Sequence, residues 1–224
     1  MKYRYTDKVI NLFEENYGEL KPFLNFNNAF QLLIAVVLSA QCTDKRVNII
    51  TEKLFKVYVK PSDLAKKNLE DFEEEIKTCG MFHNKAKNLI ETSKILSEKF
   101  NDDVPANFDA LVSLPGVGRK SANVILGTYF NEERFPVDTH VFRVANRLGR
   151  ADSDTPEKTE NDLTGIIPSN LWMKMHRWLI YHGRTYCTAR NPKCFDCFLK
   201  NYCRYYKKTT LIPESCAAEP QAGH

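Results

Sequence analysis

Apolar residues recur along most of the chain at intervals of three and four positions, the spacing that places them on one face of an α-helix. Segments with this pattern include VINLFEENY, KAKNLIETSKILSEKF, SANVILGTYF, VFRVANRLG and WMKMHRWLIYHG. Alternation with period two, the mark of a half-buried strand, is almost absent. The pattern therefore predicts an all-α protein of about ten helices joined by short loops.

Capping residues support the predicted helix boundaries. Asn68 is placed to cap a helix that Gly80 is expected to end, and Asn107 precedes the short apolar segment FDALVSL. Thr155 followed by Pro156 is the preferred order of an N-cap and a first helical residue. These signals divide the chain at positions that agree with the apolar periodicity.

The longest apolar run is Leu32 to Leu38, inside FQLLIAVVLSA. It is far shorter than the roughly 20 residues that a membrane-spanning helix needs, so it predicts a helix buried in a protein core. The N-terminal segment MKYRYTDKVINLFEENYGEL mixes charged with apolar residues and lacks the uninterrupted apolar core of a signal peptide. We expect a cytoplasmic protein.

Length and net charge exclude few folds or functions. A chain of 224 residues can bury a sizeable core as one large domain or two small ones. With 32 Lys and Arg against 28 Asp and Glu, the protein is mildly basic, which neither requires nor excludes a polyanionic partner. The C-terminal tail is rich in small residues and proline, which predicts disorder there.

Four cysteines crowd together near the C-terminus, in the arrangement Cys187-x6-Cys194-x2-Cys197-x5-Cys203. Disulfides are disfavoured in a reducing compartment, so the crowding indicates a metal centre. All-cysteine zinc sites usually combine two short pairs, whereas only Cys194 and Cys197 form one here. An iron–sulfur cluster is wider than a single ion and suits uneven spacers, so the spacing favours a cluster and leaves zinc as the alternative.

Basic residues concentrate around these cysteines. Between positions 184 and 208 the chain has seven Lys and Arg residues and a single acid, Asp196. Part of this charge could offset four thiolates. Arg190 and Lys193, however, lie in the loop between the first two cysteines, where a compact centre would direct them outward, and a braced basic loop is a good phosphate contact.

The segment LPGVGRKSANVIL, from Leu114 to Leu126, joins a tight glycine turn to an apolar helical pattern. Gly116 and Gly118 permit positive φ and leave backbone N–H groups accessible at the start of the following helix. An ordinary helix–helix turn would also satisfy this pattern. The two glycines around Val117, followed by Arg119 and Lys120, favour a phosphate-binding hairpin that grips a DNA backbone without reading bases.

Lys120 suggests chemistry in addition to binding. An amine at a helix N-terminus beside Arg119 lies in positive potential, which favours its neutral, nucleophilic form. Attack of such an amine on a sugar C1′ would break a glycosidic bond, give a Schiff base and allow strand cleavage by elimination. Asp138, in VDTH, is placed to cap a helix, although Thr139 could serve instead; its carboxylate could also stabilise positive charge on the sugar.

In their order along the chain, LLIAVVLSAQCTD, LPGVGRK, VDTH and the spaced cysteines resemble bacterial endonuclease III, over about residues 1 to 211. The resemblance implies a DNA glycosylase and apurinic/apyrimidinic lyase of base excision repair that removes oxidised pyrimidines from duplex DNA and works as a monomer. It implies Lys120 as the Schiff-base lysine and Asp138 as the catalytic aspartate. It also implies a 4Fe-4S cluster on Cys187, Cys194, Cys197 and Cys203.

The same resemblance implies two helical lobes with DNA in the cleft between them. A six-helix barrel with the hairpin is expected at 22–132, and an iron–sulfur lobe at 1–21 with 133–211, followed by a disordered tail at 212–224. A base must leave the DNA double helix before it can be excised, and Gln41 and Met81 are expected to fill the gap that it leaves in the duplex. Ser39, Asp44 and His140 match pocket-lining positions.

Other functions fit part of the pattern. A related adenine glycosylase lacks the hairpin lysine, uses a glutamate in the early helix and carries a further C-terminal domain, and mismatch-specific thymine or uracil glycosylases also tend to lack this lysine. A non-catalytic DNA-binding module or an electron-transfer protein would have no need of the Lys120 and Asp138 pair. The sequence therefore favours the bifunctional enzyme over these alternatives.

Overall fold

A computed structural model describes residues 5–210, which form twelve α-helices and two 3-10 turns, with no strand in that part of the chain. The prediction of an all-α protein is confirmed. The tail 212–224, for which disorder is predicted, lies outside the described residues. No helix within 5–210 combines the length and apolar character that a bilayer crossing requires.

The described chain divides into two compact units, residues 21–136 and residues 5–20 with 137–210. The boundaries expected from the sequence were 22–132 for the first unit and 1–21 with 133–211 for the second. The two units are described separately below.

The 21–136 unit contains seven helices. They are α2 (Ala29–Ser39), α3 (Asp44–Leu54), α4 (Pro61–Ala65), α5 (Leu69–Ile76), α6 (Phe82–Lys99), α7 (Phe108–Val112) and α8 (Arg119–Thr128). Every residue of α2 from Phe30 to Leu38 is buried, and the helix packs against α3, α6 and α8. The apolar run is thus the centre of this core, as its composition predicts.

The second unit is built from both ends of the described chain. It contains α1 (Thr6–Tyr17), α9 (Thr139–Leu148), α10 (Pro156–Thr164), α11 (Trp172–Thr185) and α12 (Arg204–Thr210), with 3-10 turns at Ser169–Leu171 and Lys200–Tyr202. Phe13 of α1 stacks on Trp178 of α11 with ring centroids 5.8 Å apart. The Trp178 indole also donates to the Gly18 carbonyl (2.9 Å), which fixes α1 against α11.

The helix starts follow the predicted caps, but one helix end does not. The side chains of Asn68, Asn107 and Thr155 each accept a hydrogen bond from a backbone N–H in the first turn of their helix. The predicted end of α5 at Gly80 is wrong, because the helix stops at Ile76. Residues 77–81 form a turn that carries the Cys79 thiol to the end of α2, where it donates to the Leu38 carbonyl (3.2 Å).

Candidate functional site

The glycine hairpin lies between α7 and α8, and two observations explain why a glycine occupies position 116. Its φ of +79° is in the left-handed region, and a Cβ at this position would lie 3.0 Å from Asn88 Nδ2 of α6. Thr92, one turn further along α6, donates to the Pro115 carbonyl (2.9 Å). The turn therefore rests directly on α6, and any residue larger than glycine at position 116 would bring backbone strain and a close contact with Asn88.

Gly118 differs from Gly116 and does not use positive φ. It is the N-cap of α8, with φ −91°, and a Cβ there would meet no atom within 4 Å. Val117 is 4% exposed, so this residue can offer a ligand little besides its backbone. Arg119 is exposed, with its guanidinium 5.5 Å from the centre of the Phe108 ring. The open space at Gly118 leaves room for a ligand to approach the backbone closely.

Lys120 is the second residue of α8, and its side chain is half-buried. The first backbone N–H groups of a helix have no partner within the helix, and the aligned peptide dipoles add positive potential there. The hairpin thus places a lysine at an N-terminus suited to a phosphate, beside the cationic Arg119.

The predicted base-pocket and gap-filling residues of this unit lie in two turns that touch each other. Ser39 ends α2, Gln41 lies in the turn that follows, and Asp44 begins α3. Met81 is the N-cap of α6 and is 47% exposed. A Cβ on Gly80 would lie 3.4 Å from the Gln41 carbonyl oxygen, so the backbones of the two turns are close neighbours.

Asp138 and His140 lie at the start of α9 in the other unit. Asp138 Oδ1 accepts a hydrogen bond from the Val141 N–H (2.8 Å), so Asp138 and not Thr139 caps this helix. Burial lowers the pKa of His140, an effect that the Asp138 charge opposes and that Arg143 and Arg184 reinforce. The imidazole is thereby biased towards its neutral form.

The four clustered cysteines line a single cavity, together with residues of α9, α11 and α12. All four are free of disulfides. Within residues 5–210, no three Cys, His, Asp or Glu side chains converge closely enough to hold one metal ion. Four thiols around a common space match the ligand set of an iron–sulfur cluster, which is held by four cysteine thiolates.

The surroundings of the cysteines bear on this fit. Burial raises the pKa of Cys197 to about 11 and also raises the pKa values of Cys194 and Cys203, so metal binding must favour the thiolates over the buried thiols. Arg147 Nη1 lies 3.6 Å from Cys187 Sγ and supplies positive charge.

His182, a residue of α11, is a close neighbour of Cys197. It is 1% exposed, and burial lowers its pKa to about 4, so it is neutral at pH 7. Its Nε2 lies 3.4 Å from Cys197 Sγ and its Nδ1 lies 2.8 Å from Tyr17 Oη. When Cys197 is a metal-bound thiolate it can only accept, and this arrangement then requires the proton on Nε2 and Tyr17 as the donor to Nδ1.

Two arginines of α9 that the sequence did not identify hold the loop between Cys187 and Cys194. Arg143 donates to the carbonyls of Gly183 (2.8 Å) and Cys187 (3.1 Å), and Arg147 donates to those of Thr188 (2.7 Å) and Ala189 (3.0 Å). Their spacing of four residues, which puts both on one face of α9, was the available signal.

Arg190 and Lys193 lie in this braced loop with exposed side chains. Thr188 Oγ1 donates to the Arg190 carbonyl (2.8 Å), the Lys193 N–H donates to the Tyr186 carbonyl (2.9 Å), and Asn191 adopts a left-handed turn with φ +50°. The loop is thus folded by its own hydrogen bonds and leaves both cationic residues exposed, with Lys193 also at the edge of the cysteine cavity.

Lys85 of α6 is a third residue that the sequence did not single out. It is 4% exposed, and its ammonium contacts the end of α2 and the turn before α6. A lysine in a charged amphipathic helix is normally solvated. Its place four residues before the buried Leu89 was the only sign that it faces the core.

Comparison with known proteins agrees with this geometry. Residues 34–169 match the HhH-GPD superfamily of base excision DNA repair proteins, and residues 187–203 match the iron-sulfur binding domain of endonuclease III. Endonuclease III of Rickettsia conorii is 46% identical over 92% of this chain and 98% of the relative. The enzyme of Escherichia coli K12 is 42% identical over 91% and 97%.

A solved structure of a trapped endonuclease III–DNA covalent intermediate is also similar. It has a TM-score of 0.88 and 39% identity, and the match covers 94% of this chain and 99% of that one. The iron–sulfur domain match falls on the segment that begins at Cys187 and ends at Cys203, where the four thiols line one cavity. The chain belongs to the endonuclease III family of HhH-GPD base excision DNA repair proteins and carries that family's iron–sulfur domain.

Proposed function

We propose that the protein is a bifunctional DNA glycosylase and apurinic/apyrimidinic lyase that removes oxidised pyrimidines from duplex DNA. It acts as a monomer in the cytoplasm, where the nucleoid DNA is. The observation that carries the proposal is the hairpin, which holds Gly116 in a left-handed turn against α6 and places Lys120 in the first turn of α8. Backbone N–H groups bind the phosphate, and the amine lies beside the strand they hold.

Lys120 is the proposed nucleophile. Its neutral amine attacks C1′ of the damaged nucleotide, and the C1′–N bond breaks with its electron pair passing to the departing base. Opening of the sugar ring leaves a Schiff base between Lys120 and C1′. Loss of a proton from C2′ then expels the 3′ phosphate and cuts the strand by β-elimination.

Asp138 is the proposed electrostatic partner of this reaction. A sugar that loses its base develops positive charge at C1′, and a fixed carboxylate stabilises that charge in the transition state. Capping α9 does not compete with this role, because a carboxylate has two oxygens and can accept several interactions. The cap fixes the orientation of the carboxylate.

Removal of a base from a duplex requires the nucleotide to leave the stack, and something must occupy the space it vacates. Gln41 and Met81 are proposed for this role, and their exposure at adjoining turns supports it. Ser39, Asp44 and His140 are proposed to line the pocket that receives the base. A flexible methionine is well suited to fit between base pairs of different sequence.

Cys187, Cys194, Cys197 and Cys203 hold the 4Fe-4S cluster, which ties together the loop that contains Arg190 and Lys193. These two cations are proposed to contact DNA phosphates away from the reacting sugar. Their exposure on a loop braced by Arg143 and Arg147 supports this role. Such contacts position the enzyme and make its affinity depend on salt.

Borohydride trapping tests the central assignment. Borohydride reduces a Schiff base to a stable amine, so wild-type protein should form a covalent complex with a duplex that contains thymine glycol or an abasic site. Lys120→Ala and Lys120→Arg should form none, the second because it keeps the charge but loses the nucleophile. Arg119→Ala is the matched control: it should need more DNA but trap fully at saturation. Equal trapping by Lys120→Arg and wild type would exclude the assignment.

A further inference from the structure

Lys85 makes a set of buried contacts that the proposed chemistry does not use. Its Nζ donates to the carbonyls of Leu38 (2.9 Å) and Ala40 (2.6 Å) and to Cys79 Sγ (3.3 Å). An ammonium has three N–H donors, and here each has one acceptor. The side chain therefore joins two segments that are about forty residues apart in sequence to α6.

The acceptors suit a buried cation. Leu38 and Ala40 lie at the C-terminal end of α2, where the last carbonyls have no partner within the helix and the helix dipole is negative. Cys79 also donates its own thiol proton to the Leu38 carbonyl (3.2 Å). The end of α2 and the 77–81 turn are thus linked twice, by the ammonium and by the thiol.

Each linked segment leads directly to a strained residue. Gln41 has φ +53° and Met81 has φ +58°, and both angles lie in the left-handed region that residues other than glycine rarely adopt. Each such conformation costs about 1–2 kcal/mol. Strain of this kind persists only where surrounding contacts enforce it, and it clusters at functional sites. The Lys85 contacts lie one residue before Gln41, at Ala40, and two residues before Met81, at Cys79.

We propose that Lys85 is a positioning residue: its ammonium fastens the Gln41 turn to the Met81 turn and presents the two side chains as a preorganised pair to the gap in the DNA. The inference rests on the proposed function, in which Gln41 and Met81 fill that gap. Lys85 itself touches no DNA, since it is buried beneath the two turns. Rigid placement of the pair avoids an ordering cost on each binding event.

The test compares substrates that differ in whether there is a gap to fill. Lys85→Met keeps the length of the side chain and removes its donors, whereas Lys85→Gln keeps an N–H donor group in case the first variant does not fold. Lys87→Met, on the exposed side of the same helix, is the matched control. Melting curves and circular dichroism establish that each variant is folded.

For an abasic site in duplex DNA, we expect Lys85→Met to lower kcat/KM by about 10- to 100-fold, the usual effect of misplacing a group by about 1 Å. The kcat/KM of Lys85→Gln should lie between those of Lys85→Met and wild type. An abasic site in single-stranded DNA has no gap, so cleavage of it should stay within about twofold of wild type. A 2-aminopurine placed opposite the abasic site should report weaker insertion through its fluorescence.

Two results would overturn the inference: wild-type cleavage and fluorescence on duplex DNA in either folded Lys85 variant, or an equal loss on single- and double-stranded DNA. Gln41→Ala and Met81→Ala separate this failure from failure of the proposed function. If those variants process duplex DNA normally, the gap-filling roles are wrong. If they fail on duplex DNA while Lys85→Met does not, only the role of Lys85 is wrong.

Discussion

Adding one methyl group to each hairpin glycine should separate the folding role of the turn from its binding role. At Gly116 the methyl meets two obstacles. The residue must stay at φ +79°, which costs about 1–2 kcal/mol for an L-residue. The new Cβ would also lie 3.0 Å from Asn88 Nδ2 and 3.1 Å from Asn88 Cβ, so α6 or the hairpin must shift. At Gly118 φ is −91° and the space is open.

We therefore expect Gly116→Ala to lower the free energy of unfolding by about 2 kcal/mol, equivalent to a fall in Tm of about 4–8 °C for a chain of this size. Gly118→Ala should cost less, about 0.5 to 1 kcal/mol, because alanine is a poorer N-cap than glycine but here brings neither backbone strain nor a close contact. Urea unfolding followed by circular dichroism measures both. The double variant Asn88→Ala with Gly116→Ala should recover the part of the loss that comes from the close contact.

The binding assay should give the reverse order of effects. A methyl at Gly118 would occupy the space through which a phosphate reaches the backbone, so Gly118→Ala should raise KM for duplex DNA several-fold although it destabilises the fold less than Gly116→Ala. Equal destabilisation by the two variants would refute the distinction drawn between the two glycines. A Gly118→Ala protein with unchanged KM would refute the assignment of this backbone to phosphate binding.

Three further predictions concern the second unit. Asp138→Asn keeps the N-cap, so its free energy of unfolding should stay within about 0.5 kcal/mol of wild type while borohydride trapping falls sharply. Asp138→Ala should lose trapping and also about 1 kcal/mol of stability. Equal stability of the two variants in urea unfolding would contradict the capping role. Replacing Arg190 and Lys193 with Ala should lower the slope of log affinity against log salt by about 2, measured by anisotropy titrations, with single-turnover cleavage at saturation unchanged. His182 has a folded pKa of about 4, below the ordinary value of about 6.5, so the unfolded chain binds the proton more readily and stability falls as pH drops through that window. Stability should therefore fall as the pH is lowered from 7 to 5, and His182→Asn should lack this part of the slope.

The features predicted correctly from the sequence are those that depend on local rules. Asn68, Asn107 and Thr155 cap helices because a side-chain oxygen and a backbone N–H three residues later meet in any chain with that geometry. The apolar α2 could only be buried, and the cysteine spacing pointed to an iron–sulfur centre. The roles assigned to individual site residues remain predictions.

The features that were missed depend on contacts between distant segments. Gly80 was expected to end α5, but the helix ends at Ile76, and the turn that follows brings Cys79 into contact with Leu38 at the end of α2. Lys85 has the sequence context of a solvated lysine, and its burial depends on contacts with Leu38 and Ala40, which are 47 and 45 residues earlier in the chain. Gly116 and Gly118 look equivalent in sequence, yet the contact with Asn88 distinguishes them.

The pairing of α1 with α11 limits when the second unit can fold during synthesis. Trp178 and Gly18 are 160 residues apart, so α1 leaves the ribosome long before the helix against which it packs. The 21–136 unit has its core in one continuous segment and can fold in the interval. The iron–sulfur site is completed late in synthesis, because its fourth cysteine, Cys203, is made after the other three.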